Sequence, residues 1–351
     1  MIMKRHEGVF IIAEAGSNWK MGTYSKDLEM ARCLIEVASE CGADAIKFQT
    51  FAPEFVYAQG AGTPKYLQDK GSPPIEKVFK DHAMPYEMLP ELAAYCKYQN
   101  IEFMSTPFSI RDAQEINPYV NTHKIASYEI GHLRLLEWIA KTGKPLILST
   151  GASSYEDIEW ALNHFYESGG KEIALLQNTA KYPTDLSMLN LKVIPNMIDR
   201  YNIEVGLSDH SRDPIIAPVC AVALGATIVE KHFTLHNKLP GPDHVFAVTP
   251  SELKSMVSAI RSAERVLGTP IKNVQECEQE LRRFATRSIQ ATKTTNKGEV
   301  LYEGINIDVL RPGNNSQGLH PKFITEVNGK KATRDIDIGE GIQSGDYTER
   351  G

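Results

Sequence analysis

The sequence predicts a (β/α)8 barrel of the TIM type followed by a small β-rich domain. Up to about Leu267, short β-rich runs alternate with longer segments of helical period, which is the pattern of βα units repeated around a parallel sheet. Nearly every run ends in polar or ionisable residues. An open doubly wound sheet gathers such groups at one switch point, whereas a closed barrel collects them around its C-terminal mouth, so a whole ring favours closure. Beyond Glu280 the pattern changes to short apolar runs between Gly, Asn and Pro turns, such as Pro312-Gly313-Asn314-Asn315.

Taken in order, the first expected strand, 9–14, ends at Glu14 and leads to a helix over 27–40. The second, 45–49, carries Lys47 and Gln49. The third, 102–105, follows a helical stretch at 86–98 and ends in Ser105 and Thr106, with only a short helical segment after it. The fourth, 124–127, brings Lys124, Ser127 and Glu129, then a helix over 133–141. The fifth, 146–149, ends at Ser149 and Thr150 before a helix at 155–167. The sixth, 173–177, runs into Asn178 and Thr179. The seventh, 204–207, ends in Ser208-Asp209-His210 before a helix at 214–224. The eighth, 227–232, ends in Glu230-Lys231-His232, and a helix at 251–266 completes the set. The domains are therefore expected at 1–270 for the barrel, 271–284 for a charged, Gln-rich linker and 285–351 for the small domain, with short runs at 287–291, 305–310 and 336–338.

A net charge of −6 and the lack of a dense basic block argue against a nucleic-acid partner. The apolar run after Gly8 is far shorter than the roughly 20 residues of a membrane span, so no membrane association and a cytoplasmic location are expected. Five scattered cysteines without a C-x-x-C pair suggest neither a disulfide framework nor a zinc ribbon; most are expected to be buried, inert thiols.

The strand ends carry candidate chemistry. Strand period two puts Ser208 with His210 and Glu230 with His232 on common sides. Strands about 4.8 Å apart let two imidazoles reach one cation, and two neutral nitrogens with oxygen ligands suit Mn²⁺ or a similar divalent ion. The alternative is a pair of hydrogen-bonded mouth histidines. Lys47 and Lys124, inside a barrel mouth, need an anion. With Thr106, Ser127, Ser149 and Ser208 nearby they suit a phosphate and a carboxylate, the alternative being a structural salt bridge to Glu14 or Glu129. Glu14, Glu129, Glu230 and Asp243 offer acid/base work and hydrogen bonds to sugar hydroxyls. Asp243 sits in the stiff loop Pro240-Gly241-Pro242-Asp243-His244, where it either covers a site or caps its own turn.

Several segments, in order, resemble the sialic acid synthase family: Ile12-Ala13-Glu14-Ala15-Gly16-Ser17-Asn18, Ile46-Lys47-Phe48-Gln49, Ser105-Thr106-Pro107-Phe108, Lys124-Ile125-Ala126-Ser127, Tyr182-Pro183-Thr184, Ser208-Asp209-His210-Ser211, Glu230-Lys231-His232-Phe233-Thr234 and Gly241-Pro242-Asp243-His244. Arg287-Ser288-Ile289 and Leu310-Arg311-Pro312-Gly313 are similar to the antifreeze-like (SAF) domain of these synthases. The resemblance implies a TIM barrel that binds phosphoenolpyruvate through Lys47, Thr106, Lys124, Ser127, Ser149, Tyr182 and Ser208, with a divalent metal, most commonly Mn²⁺ (Mg²⁺ or Co²⁺ in its place), on His210 and His232. It also implies an acceptor-sugar region at Gln49, Glu129, Tyr182 and Asp243. Arg311 is implied to enter the site of the partner subunit, in a domain-swapped homodimer. One departure stands out: Ala180 occupies a position where a relative has Asn, with Asn178 just upstream.

The implied reaction condenses phosphoenolpyruvate with an N-acetylated amino sugar such as N-acetylmannosamine, adds water and releases phosphate, with Lys47, Lys124, Glu14 and Glu230 as the catalytic set. The same machinery fits a 6-deoxy diacetamido hexose, leading to legionaminic or pseudaminic acid. A pyruvate-dependent aldolase, a barrel synthase acting on a sugar phosphate, and a non-catalytic carbohydrate- or ice-binding protein are the other readings. Barrels host many chemistries, so fold alone does not separate the enzymes.

Overall fold

The structure is a computed structural model that describes residues 8–63 and 73–348. The outer ends of the two expected domains, at 1 and 351, lie outside the described residues. The chain divides into two compact units, Met1–Gly268 and Thr269–Gly351.

The first unit is built on eight strands: β1 (Phe10–Gly16), β2 (Ala45–Thr50), β3 (Glu102–Pro107), β4 (His123–Ile125), β5 (Leu146–Ser149), β6 (Ile173–Gln177), β7 (Glu204–Asp209) and β8 (Ile228–His232). They form one parallel sheet in the order β3-β2-β1-β8-β7-β6-β5-β4. Its two end strands, β3 and β4, lie against each other, so the sheet curls into a (β/α)8 TIM barrel.

Strand alternation divides each side chain's fate. Phe10, Ile12, Ala45, Met104, Ile147, Ala174, Leu176 and Ile228 point inward and fill the barrel as an apolar plug. Their neighbours, such as Ile11, Ala13 and Ile46 on one side and Leu148, Leu175 and Val205 on the other, point outward into the layers beneath the helices. One pleat above the plug, the inward positions turn polar. This step creates the site described below.

Local signals set the helix ends. The helix Tyr155–Glu167 starts with a Ser154/Asp157 capping box, and Pro250–Leu267 starts with Thr249/Glu252 and a proline in its first turn. The helix Leu133–Thr142 stops at Gly143, whose φ of +72° suits a residue without Cβ. One helix of the first unit lies outside the expected units: Ile75–His82, after Pro73-Pro74. The helical stretch expected after the sixth strand is Val193–Tyr201, with Pro195 in its first turn, where the missing N–H costs no hydrogen bond.

β4 is shorter than expected. It ends at Ile125, and Ser127–Glu129 form a 3₁₀ turn. The cysteine expectation also needs correction: Cys41 and Cys96 are buried, Cys33 is half-buried, and Cys220 and Cys277 are exposed. Cys220 lies one turn after exposed Ile216 on the solvent stripe of its helix. No helix among the described residues is long and apolar enough to cross a membrane.

In the second unit, β9 (Ser288–Ala291) pairs antiparallel with β10 (Ile307–Leu310) over a small core that includes Ile289, Leu301, Ile307, Val327, Ile336 and Ile342. The expected run at 336–338 contributes only an isolated bridge from Ile336 to Thr295. The stretch expected as a linker, 271–284, carries most of a short helix, Gln279–Ala285.

Candidate active site

The polar pleat above the plug surrounds a cavity of about 170 Å³ at the C-terminal mouth. Register explains its composition. β1 and β2 align Glu14 with Lys47, β2 and β3 align Gln49 with Thr106, β7 and β8 align Ser208 with Glu230, and β8 and β1 align His232 with Glu14. Residues far apart in sequence thereby become neighbours. The cavity is lined by every candidate named from the sequence in the first unit except Asp243: Glu14, Lys47, Gln49 and Thr106 from one side, Lys124, Ser127, Glu129 and Ser149 from another, and Tyr182, Ser208, His210, Glu230 and His232 from the third. Asp243 lines a second, outer cavity that shares Gln49, Tyr182 and His232 with the first. Arg311 is an exposed residue of the second unit.

Lys47 is the hub of one half. Its Nζ lies 2.6 Å from Glu14 Oε2 and 3.6 Å from Glu230 Oε1 and donates to Thr106 Oγ1 at 3.0 Å. The salt bridge to Glu14 that the sequence left open is thus present. Burial opposes charge on Lys47, but the two carboxylates outweigh it and hold its pKa above the ordinary value. Burial pushes Glu14 up to about 7, with Lys47 opposing and Glu230 adding to the rise. Glu230 is driven the other way: burial raises it, but Lys124 and Lys47 together prevail, so it stays ionised. Burial thus favours a proton on Glu14 while the two lysines favour charge on Glu230, which suits the first to give a proton and the second to accept one.

Lys124 centres the other half. Among the described residues no acid comes within ion-pair distance of it; Nζ donates to Ser149 Oγ at 2.7 Å and to the Ile125 carbonyl at 3.0 Å. Burial lowers its pKa from 10.5 to about 8. Glu129, raised to about 7 mainly by burial, has one buried oxygen without a hydrogen-bond partner.

Asn178, at the end of β6, braces this wall. Its Oδ1 accepts from the Thr150 and Gly151 amides at 3.1 and 2.7 Å, and its Nδ2 donates to Ser127 Oγ at 2.9 Å. A Cβ on Gly151 would fall 2.3 Å from Asn178 Nδ2, so only glycine fits there. The sequence marked Asn178 as a strand-end group and not as a brace; three partners from two other strand ends become visible only in the folded chain. At the position of the family departure, Ala180 offers its carbonyl to the Tyr128 hydroxyl at 3.5 Å.

The two imidazoles stand side by side, ring centroids 5.7 Å apart, with Tyr182 stacked on His210 at 4.2 Å. His210 Nδ1 donates to the Thr179 carbonyl at 2.8 Å, which leaves Nε2 as the nitrogen with a lone pair. Burial holds His210 down at about 4 and lowers His232 well below its ordinary value, so both rings are neutral. His232 Nδ1 and Glu230 Oε2 are buried without a hydrogen-bond partner. Orphaned polar atoms beside two neutral imidazoles fit a divalent cation, although among the described residues no third His, Cys, Asp or Glu joins the histidines in a ready-made set.

Asp243 does not cap its own turn. Its Oδ2 accepts from the Ser17 amide and hydroxyl at 3.3 and 3.0 Å, across from β1. Between them sits Gly16, at φ +52°, where a Cβ would lie 2.7 Å from Asp243 Oδ2 and 3.4 Å from Glu14 Oε1.

The family model described as "NeuB family" matches residues 34–272, and that of the SAF domain matches 286–347. Spore coat polysaccharide biosynthesis protein SpsE of Bacillus subtilis is 40% identical over 95% of this chain and 92% of its own; its crystal structure covers 98% of this chain and 96% of its own with a TM-score of 0.64. Pseudaminic acid synthase of Campylobacter jejuni is 37% identical over 97% of this chain and 96% of its own. The crystal structure of N-acetylneuraminic acid synthetase from Leptospira borgpetersenii, bound to citrate, is 31% identical, with a TM-score of 0.69 over 78% of this chain and 90% of its own. On the match across the barrel and the full-length similarity of these relatives, the chain belongs to the NeuB family of sialic acid synthases and carries a SAF domain after its barrel.

Proposed function

We propose that this protein condenses phosphoenolpyruvate with the open-chain form of an N-acetylated amino sugar, with addition of water and release of phosphate, to make a nonulosonic acid. The observation that carries the reading is the ring of two buried lysines, four Ser and Thr hydroxyls and the carboxylates of Glu14, Glu129 and Glu230, set beside a pair of imidazoles.

Lys124 with Ser149 and Ser127, and Lys47 with Thr106, would hold the phosphate and carboxylate of phosphoenolpyruvate by charge-assisted hydrogen bonds. Ser208 and Tyr182 complete that wall. Gln49, Glu129 and Asp243 would bind the acceptor. His210 and His232 would hold a divalent metal, Mn²⁺ being the first choice, which when bound supplies Lewis-acid polarisation at the acceptor's aldehyde oxygen.

The C3 carbon of phosphoenolpyruvate then forms the new bond to the aldehyde carbon, whose oxygen takes up a proton; Glu14, with its carboxyl near neutrality, holds such a proton within the site. Water adds at C2, one proton accepted by ionised Glu230; the carbon–oxygen bond to phosphate then breaks as the new C2 hydroxyl becomes the ketone, its proton leaving with the phosphate. Both anionic groups stay fixed throughout, so positioning and fixed charge supply much of the acceleration. The reading extends to a homodimer in which Arg311 of one protomer completes the site of its partner.

The test is phosphate release from phosphoenolpyruvate with Mn²⁺, comparing N-acetylmannosamine, a 2,4-diacetamido-2,4,6-trideoxyhexose and no acceptor, with product mass measured in parallel. Acceptor-dependent release with a product heavier by the carboxy-keto unit is expected. Borohydride trapping of a pyruvate adduct on a lysine, without phosphate release, would replace the synthase by a Schiff-base aldolase.

A further inference from the structure

Beside the catalytic cavity lies a second one of about 390 Å³, bordered in common by Gln49, Tyr182 and His232. If phosphoenolpyruvate occupies the inner cavity, the aldehyde carbon of the acceptor must sit at this shared border and the rest of the sugar must extend outward. The role of the outer cavity therefore rests on that reading of the function.

The outer cavity has a polar end and an apolar end. Gln49, Ser17 and Asp243 gather around Gly16 next to the border, where Gln49 Nε2 donates to Glu14 at 3.0 Å and the Ser17 hydroxyl donates to Asp243 Oδ2 at 3.0 Å. The opposite wall comes from the helix Ile75–His82. Ile75, Val78 and Phe79 recur at i, i+3 and i+4 and line the cavity from one helix face. Phe79 packs on Phe51 at 4.8 Å between ring centroids, and Phe51 packs on Phe108 at 5.4 Å, so an aromatic wall runs from the inner cavity out to this helix. The polar group on that helix which lines the cavity, His82, has its Nδ1 paired with the Val78 carbonyl at 2.7 Å.

We infer that the helix Ile75–His82 is a specificity wall that selects an acceptor sugar whose far end is apolar, a 6-deoxy sugar ending in a methyl group, over one ending in a hydroxymethyl group. A terminal hydroxyl placed against Val78 and Phe79 loses water and gains no partner from either side chain, whereas a methyl group there gains contact. The acetyl methyl groups of a diacetamido sugar suit the same lining. Such a sugar carries two amide groups and two hydroxyls where open-chain N-acetylmannosamine carries one amide group and four hydroxyls, so it brings fewer hydroxyls to the apolar lining.

The experiment compares N-acetylmannosamine with its 6-deoxy counterpart, which differ by one oxygen, and adds the 2,4-diacetamido-2,4,6-trideoxyhexose. The readout is kcat/KM for phosphate release with Mn²⁺. The wild type should favour the 6-deoxy sugar by about 10-fold or more, the scale on which apolar pockets discriminate. Val78→Thr, which keeps the side-chain shape and adds a hydroxyl, and Phe79→Asn should each shrink that ratio toward one while leaving the KM for phosphoenolpyruvate unchanged. Turnover with no preference, or a preference that both variants retain, overturns the specificity wall and leaves the condensation standing. Release with none of the three acceptors refutes the condensation, and the inference falls with it.

Discussion

Lys124 should set a compromise between stability and activity that can be measured from both sides. Its ammonium group is buried, and its pKa falls from 10.5 to about 8. At about 1.4 kcal/mol per pH unit, keeping it charged at pH 7 costs the fold about 3 kcal/mol. The sign follows from proton binding: between pH 8 and 10.5 the unfolded chain holds the proton that the folded chain has released, so stability rises with pH across that window and is lowest below 8. Lys124→Met should therefore raise the unfolding free energy at pH 7, by up to about 3 kcal/mol, in urea titrations. The same variant should lose turnover, because charge is removed from the wall that faces the phosphate, costing about 10²-fold or more in kcat/KM for phosphoenolpyruvate. In the wild type, kcat/KM reports the free enzyme and should fall about tenfold per pH unit above 8 as Lys124 loses its proton. Phosphate-release rates between about pH 6.5 and 9.5, measured beside the urea titrations, cover both halves. A Lys124→Met variant that is destabilised at pH 7, or that keeps the wild-type alkaline fall in kcat/KM, would refute the reasoning.

Other outcomes follow from the same geometry. His232→Ala should abolish metal-dependent turnover and weaken Mn²⁺ binding measured by calorimetry; full activity in metal-free buffer would exclude the metal role. Asn178→Ala removes the shared partner of the Thr150 and Gly151 amides and the Ser127 hydroxyl, although Thr150 keeps the Leu176 carbonyl and Gly151 keeps Ser127 Oγ, so it should cost about 1–3 kcal/mol in thermal unfolding and raise the KM for phosphoenolpyruvate about tenfold or more. Lys231→Met strands Asp209, whose Oδ2 lies 2.6 Å from Lys231 Nζ with both groups buried, and should destabilise the barrel by about 3–5 kcal/mol in urea titrations. If Arg311 completes the partner's site, mixing Arg311→Ala with a Lys124→Met variant should restore part of the activity that each lacks alone; no recovery in mixed dimers confirmed by sedimentation would count against the swapped arrangement.

The barrel was legible because its two signals coincide. Apolar runs such as 9–13 and 146–148 mark buried parallel strands, and the abrupt change to Glu14 or Ser149 marks where a strand leaves the plug. Most inner-cavity residues were legible for the same reason, since they lie at or just past such a change; Tyr182, in the loop after β6, was marked only by the family resemblance. Less legible was whatever depends on partners from elsewhere in the chain. Asn178 reads as one polar residue among many until Ser127 and Thr150-Gly151 are folded onto it. The helix Ile75–His82 is only two turns long and stands alone after Pro73-Pro74, so its Ile75/Val78/Phe79 spacing is too brief to separate from chance. The helix after the sixth strand, Val193–Tyr201, has bounds blurred in the sequence by Pro195, which is harmless in a first turn but reads as a breaker in isolation. Ser127 and Glu129 reach the cavity through a 3₁₀ turn, so both residues were placed on the mouth while the strand was drawn two residues too long.

The placement of the polar ring one pleat above the apolar plug limits how this molecule can change. A single inserted residue below Lys47 would rotate it by half a period and exchange it with Phe48, sending the ammonium group into the helix layer and an aromatic ring into the mouth. Each of the eight strands is under the same constraint, so the chemistry tolerates almost no variation in strand length. The helix Ile75–His82 and the Gly241–Phe246 loop lie outside the ladder and carry no such restriction. New acceptors can therefore be explored by altering these outer segments while the ring beneath them stays in register.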